Sequence, residues 1–257
     1  MRPLGACSSR SALAERLSTS TPAIHSWRPG WPVCHRAPGT LVGVGTVWVG
    51  TGSVGTGWVA VAGVGAGAGG AMLLRRIPRG VRVPVPVCAV VVAALWVVVG
   101  ERAVGGLPVW WWPVPLALGW AGVLLSGADL IARRLPDALT LPAYPVVAVL
   151  LGAAALSAGD AGLLARAVAG AVLWAGGYAA VRLVAPGALG GGDVKLAGSL
   201  GALTAATSWP GLLLAVLAAN VVTAAAAAPA RMLGYRDVPH GPAMLAAAWL
   251  VVLHSPV

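Results

Sequence analysis

Apolar residues in this 257-residue chain fall into long runs rather than alternating with polar ones. Beyond residue 72, uncharged or nearly uncharged stretches occupy about 83–100, 107–128, 138–158, 161–184, 195–209, 210–230 and 240–254. Most are long enough to cross roughly 30 Å of hydrocarbon as helices; the fifth and the last are short. Proline and glycine mark the boundaries, at Pro136, Pro142, residues 185–192, Pro210 and Pro239. The pattern predicts an all-α polytopic membrane bundle of about six to seven spans.

Upstream of Met72 the text is different. Residues 1–38 hold five Arg, six Ser and one Glu without apolar periodicity, as in a disordered tail. Residues 39–71 carry no charge but twelve Gly. Each Gly penalises a helix by close to 1 kcal/mol relative to Ala, which makes a span there doubtful. The expected division is therefore a low-complexity extension over 1–71, with a true start at or near Met72 as one reading, and a membrane-embedded domain over 72–257.

Composition agrees with the runs. Only 9% of residues are charged, 58% are apolar and the mean hydropathy is +0.86, too little charge to cover a soluble globule of this size. The net charge of +10 could suggest nucleic acid, but no basic patch with interleaved aromatics occurs, so nucleic acid is set aside. The partner implied is a lipid bilayer. Cys7, Cys34 and Cys88 are too far apart for a CxxC metal site, and no metal or cofactor is expected.

The basic residues orient the spans. Arg75, Arg76, Arg79 and Arg82, then Arg133 and Arg134, then Arg182 with Lys195, then Arg231 with Arg236, all fall on one side, expected to be cytoplasmic. The opposite side holds Glu101, Arg102 and Asp160, with Trp110 to Trp112 expected in an interfacial belt and Arg166 snorkelling from within a span.

Seven acidic residues remain to be placed: Glu15, Glu101, Asp129, Asp137, Asp160, Asp193 and Asp237. Glu15, Glu101 and Asp160 read as solvated charges. Asp129 ends an apolar run, and Asp193 follows the glycines Gly190, Gly191 and Gly192 where a new apolar helix begins. Both sit at the same membrane boundary, where a carboxylate is costly and is a functional candidate by default. Asp129 alone could be an interfacial helix end, and Asp193 alone could be a helix N-cap. A phosphate loop is excluded at these glycines, since neither GxxxxGK[ST] nor GxGxxG occurs in the stretch from Gly187 to Gly201. Lys195, the chain's one Lys, lies roughly 200° around a helix from Asp193; it reads as an interfacial anchor or a supporting group.

Two blocks carry a family resemblance. Asp129-Leu-Ile-Ala-Arg-Arg-Leu-Pro136-Asp137-Ala-Leu-Thr140-Leu-Pro142 and Gly190-Gly191-Gly192-Asp193-Val-Lys195-Leu196 resemble the type IV prepilin leader peptidases, membrane aspartic peptidases with a GxGD motif. Val238-Pro239-His240-Gly241-Pro242 is similar to that family's Pro-Phe-Gly-Pro, with His240 in place of the usual Phe. The resemblance spans roughly residues 84–254. It implies that Asp129 and Asp193 form a catalytic dyad, with Gly190, Gly192, Lys195, Pro136 and Asp137 binding or supporting. It further implies a prepilin or pseudopilin substrate, cut at the cytoplasmic face of the cell membrane in a type IV pilus or secretion system. The paired CxxC motifs of the bifunctional members are absent from the sequence, as in a short, peptidase-only form. A transporter or proton relay, or a non-catalytic subunit of a pilus or secretion assembly, are the alternatives; no internal repeat favours the former.

Overall fold

A computed structural model describes residues 52–77, 81–133, 137–187, 189–233 and 238–254. Among these residues eight α-helices follow one another: α1 (Gly52–Arg76), α2 (Val85–Val104), α3 (Pro113–Ala132), α4 (Asp137–Ala158), α5 (Gly162–Val184), α6 (Gly191–Thr207), α7 (Trp209–Met232) and α8 (Gly241–Val252). A 3-10 turn at Val109–Trp111 leads into α3, and the described residues contain no strand. α1 to α5 and α7 are each long and apolar enough to cross a membrane; α6, with 17 residues, and α8, with 12, are shorter. This is an all-α, multi-pass bundle, and the seven apolar runs correspond to α2 through α8.

The glycine-rich segment differs from expectation. Residues 52–76 form one continuous helix, so the boundary placed at Met72 falls inside α1. The glycine penalty belongs to helices in water, where the unfolded backbone can bond to solvent; in hydrocarbon every amide must be satisfied within the segment, which favours helix regardless of residue type. The glycines also contribute to packing. A Cβ on Gly63 would lie 2.6 Å from the Ala93 Cα, and one on Gly67 2.7 Å from the Ala89 Cα. These two residues, one helical turn apart, let the backbones of α1 and α2 touch, as small-xxx-small pairs do in membranes. Trp120 of α3 donates from Nε1 to the Ala66 carbonyl at 2.9 Å, tying α1 to a third helix. Residues 1–51, which include the expected disordered tail, lie outside the described residues.

α6 is the axis of the remaining helices. All twelve residues from Leu196 to Thr207 are buried, against α4, α5, α7 and α8. Its composition follows from that position. Gly201 and Gly170 of α5 each leave room for the other's carbonyl, where a Cβ would collide. The Thr204 and Thr207 hydroxyls donate to the carbonyls of Leu200 and Leu203, four residues back, at 2.8 and 3.2 Å. Each buried hydroxyl is thereby satisfied inside the helix.

Two interfacial expectations are corrected. Trp111 does not face an outer belt but is fully buried, donating from Nε1 to the Val252 carbonyl at the end of α8, 2.8 Å away. That carbonyl belongs to the last turn of a helix and has no partner within it, so the indole serves as a cap. Arg166 does not snorkel alone. Its Nη2 pairs with Asp160 Oδ2 at 3.0 Å and reaches the Ala206 carbonyl at 3.4 Å, near the end of α6. Asp160, expected as a solvated charge, also accepts from the Gly162 amide at 2.8 Å and so caps the start of α5.

Candidate active site

Asp129 lies in the last turn of α3, on the stripe formed by Leu118, Gly122 and Leu125, all of them buried. That spacing is the inward face of a 3.6-residue helix, and Asp129 takes a place where an apolar residue belongs. Its side chain is 7% exposed, whereas Leu130 and Ile131 beside it are more than half exposed. The acid points into the protein, not to the surface. One oxygen, Oδ2, accepts from the Gly241 amide at 3.2 Å, at the first residue of α8. A Cβ on Gly241 would stand 2.7 Å from that same oxygen, so the approach requires glycine.

Asp193 is the third residue of α6. The N-cap is Gly190, in an extended conformation (φ −68°, ψ 145°), so Asp193 is not itself the cap that a lone reading suggests. Its carboxylate turns back toward Gly190, where a Cβ would come within 3.0 Å of Oδ2. This is the posture of an acid reaching to the free amides of its own helix start. Arg182, from the last turn of α5, donates to the Leu189 carbonyl at 3.0 Å and holds the glycine loop from outside. Gly191 leaves the space that its guanidinium fills. The sequence identified Arg182 only as a topology signal; its bond to the loop depends on a turn that periodicity does not describe.

The two carboxylates lie toward the same end of the bundle, within reach of each other's charge. Asp137 and Lys195 form an ion pair: Nζ lies 2.7 Å from Asp137 Oδ1, joining the first turn of α4 to the second turn of α6. Tyr144 of α4 adds a bond from its hydroxyl to the Lys195 carbonyl at 2.6 Å, and Gly198 provides the room that its ring needs. The lone Lys therefore takes part in fastening α4 to α6. Gly192 is the second residue of α6, half-buried beside Asp193. Pro136 lies outside the described residues. Among the described residues no group of three or more His, Cys, Asp or Glu converges as a metal site.

Four further residues near Asp129 and Asp193 were not among the expected site residues. His240, immediately before Gly241, contacts Tyr178 of α5 at 2.9 Å and Thr223 of α7 at 2.6 Å, while Asn220 bonds to Tyr178 at 3.2 Å. The sequence marks His240 as a departure from a motif, and Asn220 is the chain's one Asn. Their association depends on three helices packing together.

Over residues 116–228 the chain matches the type IV leader peptidase family. That segment runs from α3 into α7 and contains both Asp129 and Asp193. The resemblance carried by the two acidic blocks is thus borne out, and the family supports a peptidase in general. The leader-peptidase segment ends before the Val238–Pro242 block and excludes α1 and α2. No curated protein and no solved structure matches the chain.

Proposed function

We propose that the protein is a membrane aspartic endopeptidase in which Asp129 and Asp193 activate water. The observation that carries the reading is the convergence of these two acids, one from the end of α3 and one from the start of α6, in Coulombic reach of each other. Two carboxylates in a partly dry site cannot both ionise cheaply, so they share one proton and titrate as a pair. The ionised member takes a proton from water; the protonated member donates to the carbonyl oxygen of the scissile peptide. Attack by that water gives a tetrahedral intermediate, which collapses as the leaving amine is protonated. No covalent enzyme intermediate and no cofactor is required.

The substrate in this reading is a prepilin or pseudopilin-like membrane protein whose short basic leader lies in the cytoplasm. The clustering of Arg75, Arg76, Arg133 and Arg182 on the side that holds the dyad supports a cytoplasmic site in the cell membrane. Those Arg groups would repel a basic leader, so its recognition falls to other groups. Incubating the purified full chain in detergent with such a precursor tests the reading. The expected result is a shortened product with a new N-terminus at the leader boundary, and an uncut precursor would refute it.

A further inference from the structure

His240 stands between α7 and α8, half-buried, with both ring nitrogens engaged. Nδ1 is 2.6 Å from Thr223 Oγ1, and Nε2 is 2.9 Å from Tyr178 Oη. The partners determine where the protons are. Thr223 Oγ1 also lies 2.9 Å from the Ala219 carbonyl, which only accepts, so the single hydroxyl proton goes there. The Thr223 oxygen must then accept from His240, which places a proton on Nδ1. On the other side Asn220 donates from Nδ2 both to Tyr178 Oη, at 3.2 Å, and to the Val216 carbonyl, at 2.7 Å. The phenol proton is left for Nε2. Every donor and acceptor is matched when His240 is the neutral Nδ1–H tautomer, whereas a cation would strand the phenol proton.

The cluster lies within electrostatic reach of both carboxylates. Asp129 of α3 is within Coulombic reach of His240, and Asp193 of α6 is within reach of Tyr178. The contacts from α7, Thr223 and Asn220, are uncharged. Burial holds His240 below its ordinary value, while the Asp129 charge acts in the opposite direction. His240 also begins the helix that reaches the dyad: its carbonyl accepts from the Met244 amide at 3.2 Å, and the residue after it, Gly241, donates to Asp129. A Phe, usual at this place in the motif that Val238–Pro242 resembles, would fill the ring site but bond to neither Thr223 nor Tyr178.

We propose that His240 is a positioning residue for the dyad: anchored as the neutral Nδ1–H tautomer between Thr223 and Tyr178, it sets the start of α8 so that the Gly241 amide stays on Asp129. The role rests on the peptidase reading of Asp129 and Asp193. The tautomer does not, because it follows from hydrogen-bond geometry alone.

Two measurements on the full chain in detergent test it. The first is nitrogen NMR of protein labelled at histidine, with the His240 signals assigned by their loss in His240→Phe. An Nδ1–H tautomer at pH 7 that shifts in Thr223→Val is expected; an Nε2–H tautomer or a cation overturns the proposal whatever the enzyme does. The second is cleavage kinetics on a leader-bearing precursor. His240→Phe is expected to lower kcat by about tenfold or more, as small misplacements of reacting groups do, with KM unchanged. The triple variant His240→Phe, Tyr178→Phe, Thr223→Val is expected to regain activity, because only one N–H of the exposed Asn220 is then left without its partner. Wild-type kcat in His240→Phe, or a triple variant no better than the single, overturns the role while leaving the peptidase reading intact. A wild-type chain that cuts nothing overturns that reading and this role with it.

Discussion

The Gly241 amide donates to Asp129 Oδ2 at 3.2 Å, joining the first residue of α8 to a buried acid 112 residues earlier in the chain. The contact leaves no room for a side chain, since a Cβ at Gly241 would meet the same oxygen at 2.7 Å. Gly241→Ala is therefore expected to displace the Asp129 carboxylate and reduce cleavage at least about tenfold, while the protein still folds. Gly122→Ala is the control, because its Cβ would find only ordinary contacts with Leu245 at 3.8 Å. Equal activity in the two variants would show that this contact does not position the acid.

The same logic distinguishes the glycines of α1. Gly63 and Gly67 face the α2 backbone, whereas Gly65 and Gly69 have nothing within 4 Å of an added Cβ. Gly67→Ala is expected to destabilise the protein by about 1–3 kcal/mol, the usual result of overpacking. Gly65→Ala should be close to neutral, because the added methyl meets no neighbour. Thermal unfolding in detergent reads both. Identical shifts for the two positions would mean that α1 does not pack on α2 through this face.

Much of this architecture was legible because lipid simplifies the pattern. Apolar runs bounded by Pro and Gly located α2 to α8, since a span must satisfy its own backbone and so declares its length. Asp129 and Asp193 were legible because acids are scarce, seven in 257 residues, and two stood at membrane boundaries beside motif glycines. α1 was misread because Gly was weighed by its propensity in water, although its place here is a helix–helix contact. Trp111 looked like a belt residue because sequence does not reveal that the end of α8 needs a donor. The Tyr178–His240–Thr223 chain could not be read at all, being assembled from α5, the α7–α8 connection and α7.

Asp137 and Lys195 form a close pair with both side chains substantially exposed, 61% and 43%. Solvent screening limits such a pair to at most about 1 kcal/mol. A double-mutant cycle with Asp137→Ala and Lys195→Ala is expected to give a coupling energy below that bound. Charge exchange, Asp137→Lys with Lys195→Asp, should recover more cleavage than either single reversal. A coupling of several kcal/mol would mean that the pair is far drier than its exposure implies.

Asp160 has its carboxyl held below the ordinary value of about 3.9, first by the hydrogen bond from Arg166, which outweighs the opposing effect of burial, and further by the amides of Gly162 and Leu163 and the Arg166 charge. A depressed folded-state value means that the stabilisation is fully present above the unfolded value and is lost as pH falls through the folded one. Asp160→Asn is thus expected to lower the unfolding temperature at pH 6. The gap to wild type should close as the buffer is taken below pH ~3, where the wild-type carboxyl also takes a proton. A gap that is the same at both pH values would show that the charge of Asp160 does not act through folding.

The dyad is tested most directly by cleavage of a leader-bearing precursor with Asp129→Asn and Asp193→Asn made separately, at matched levels of membrane-inserted protein. Each amide keeps the shape of the acid but can neither take a proton from water nor share one with its partner. Each variant is expected to lose cleavage by at least about a hundredfold, the low end of what a positioned acid or base contributes. Wild-type cleavage by either one would contradict the assignment of catalysis to Asp129 and Asp193.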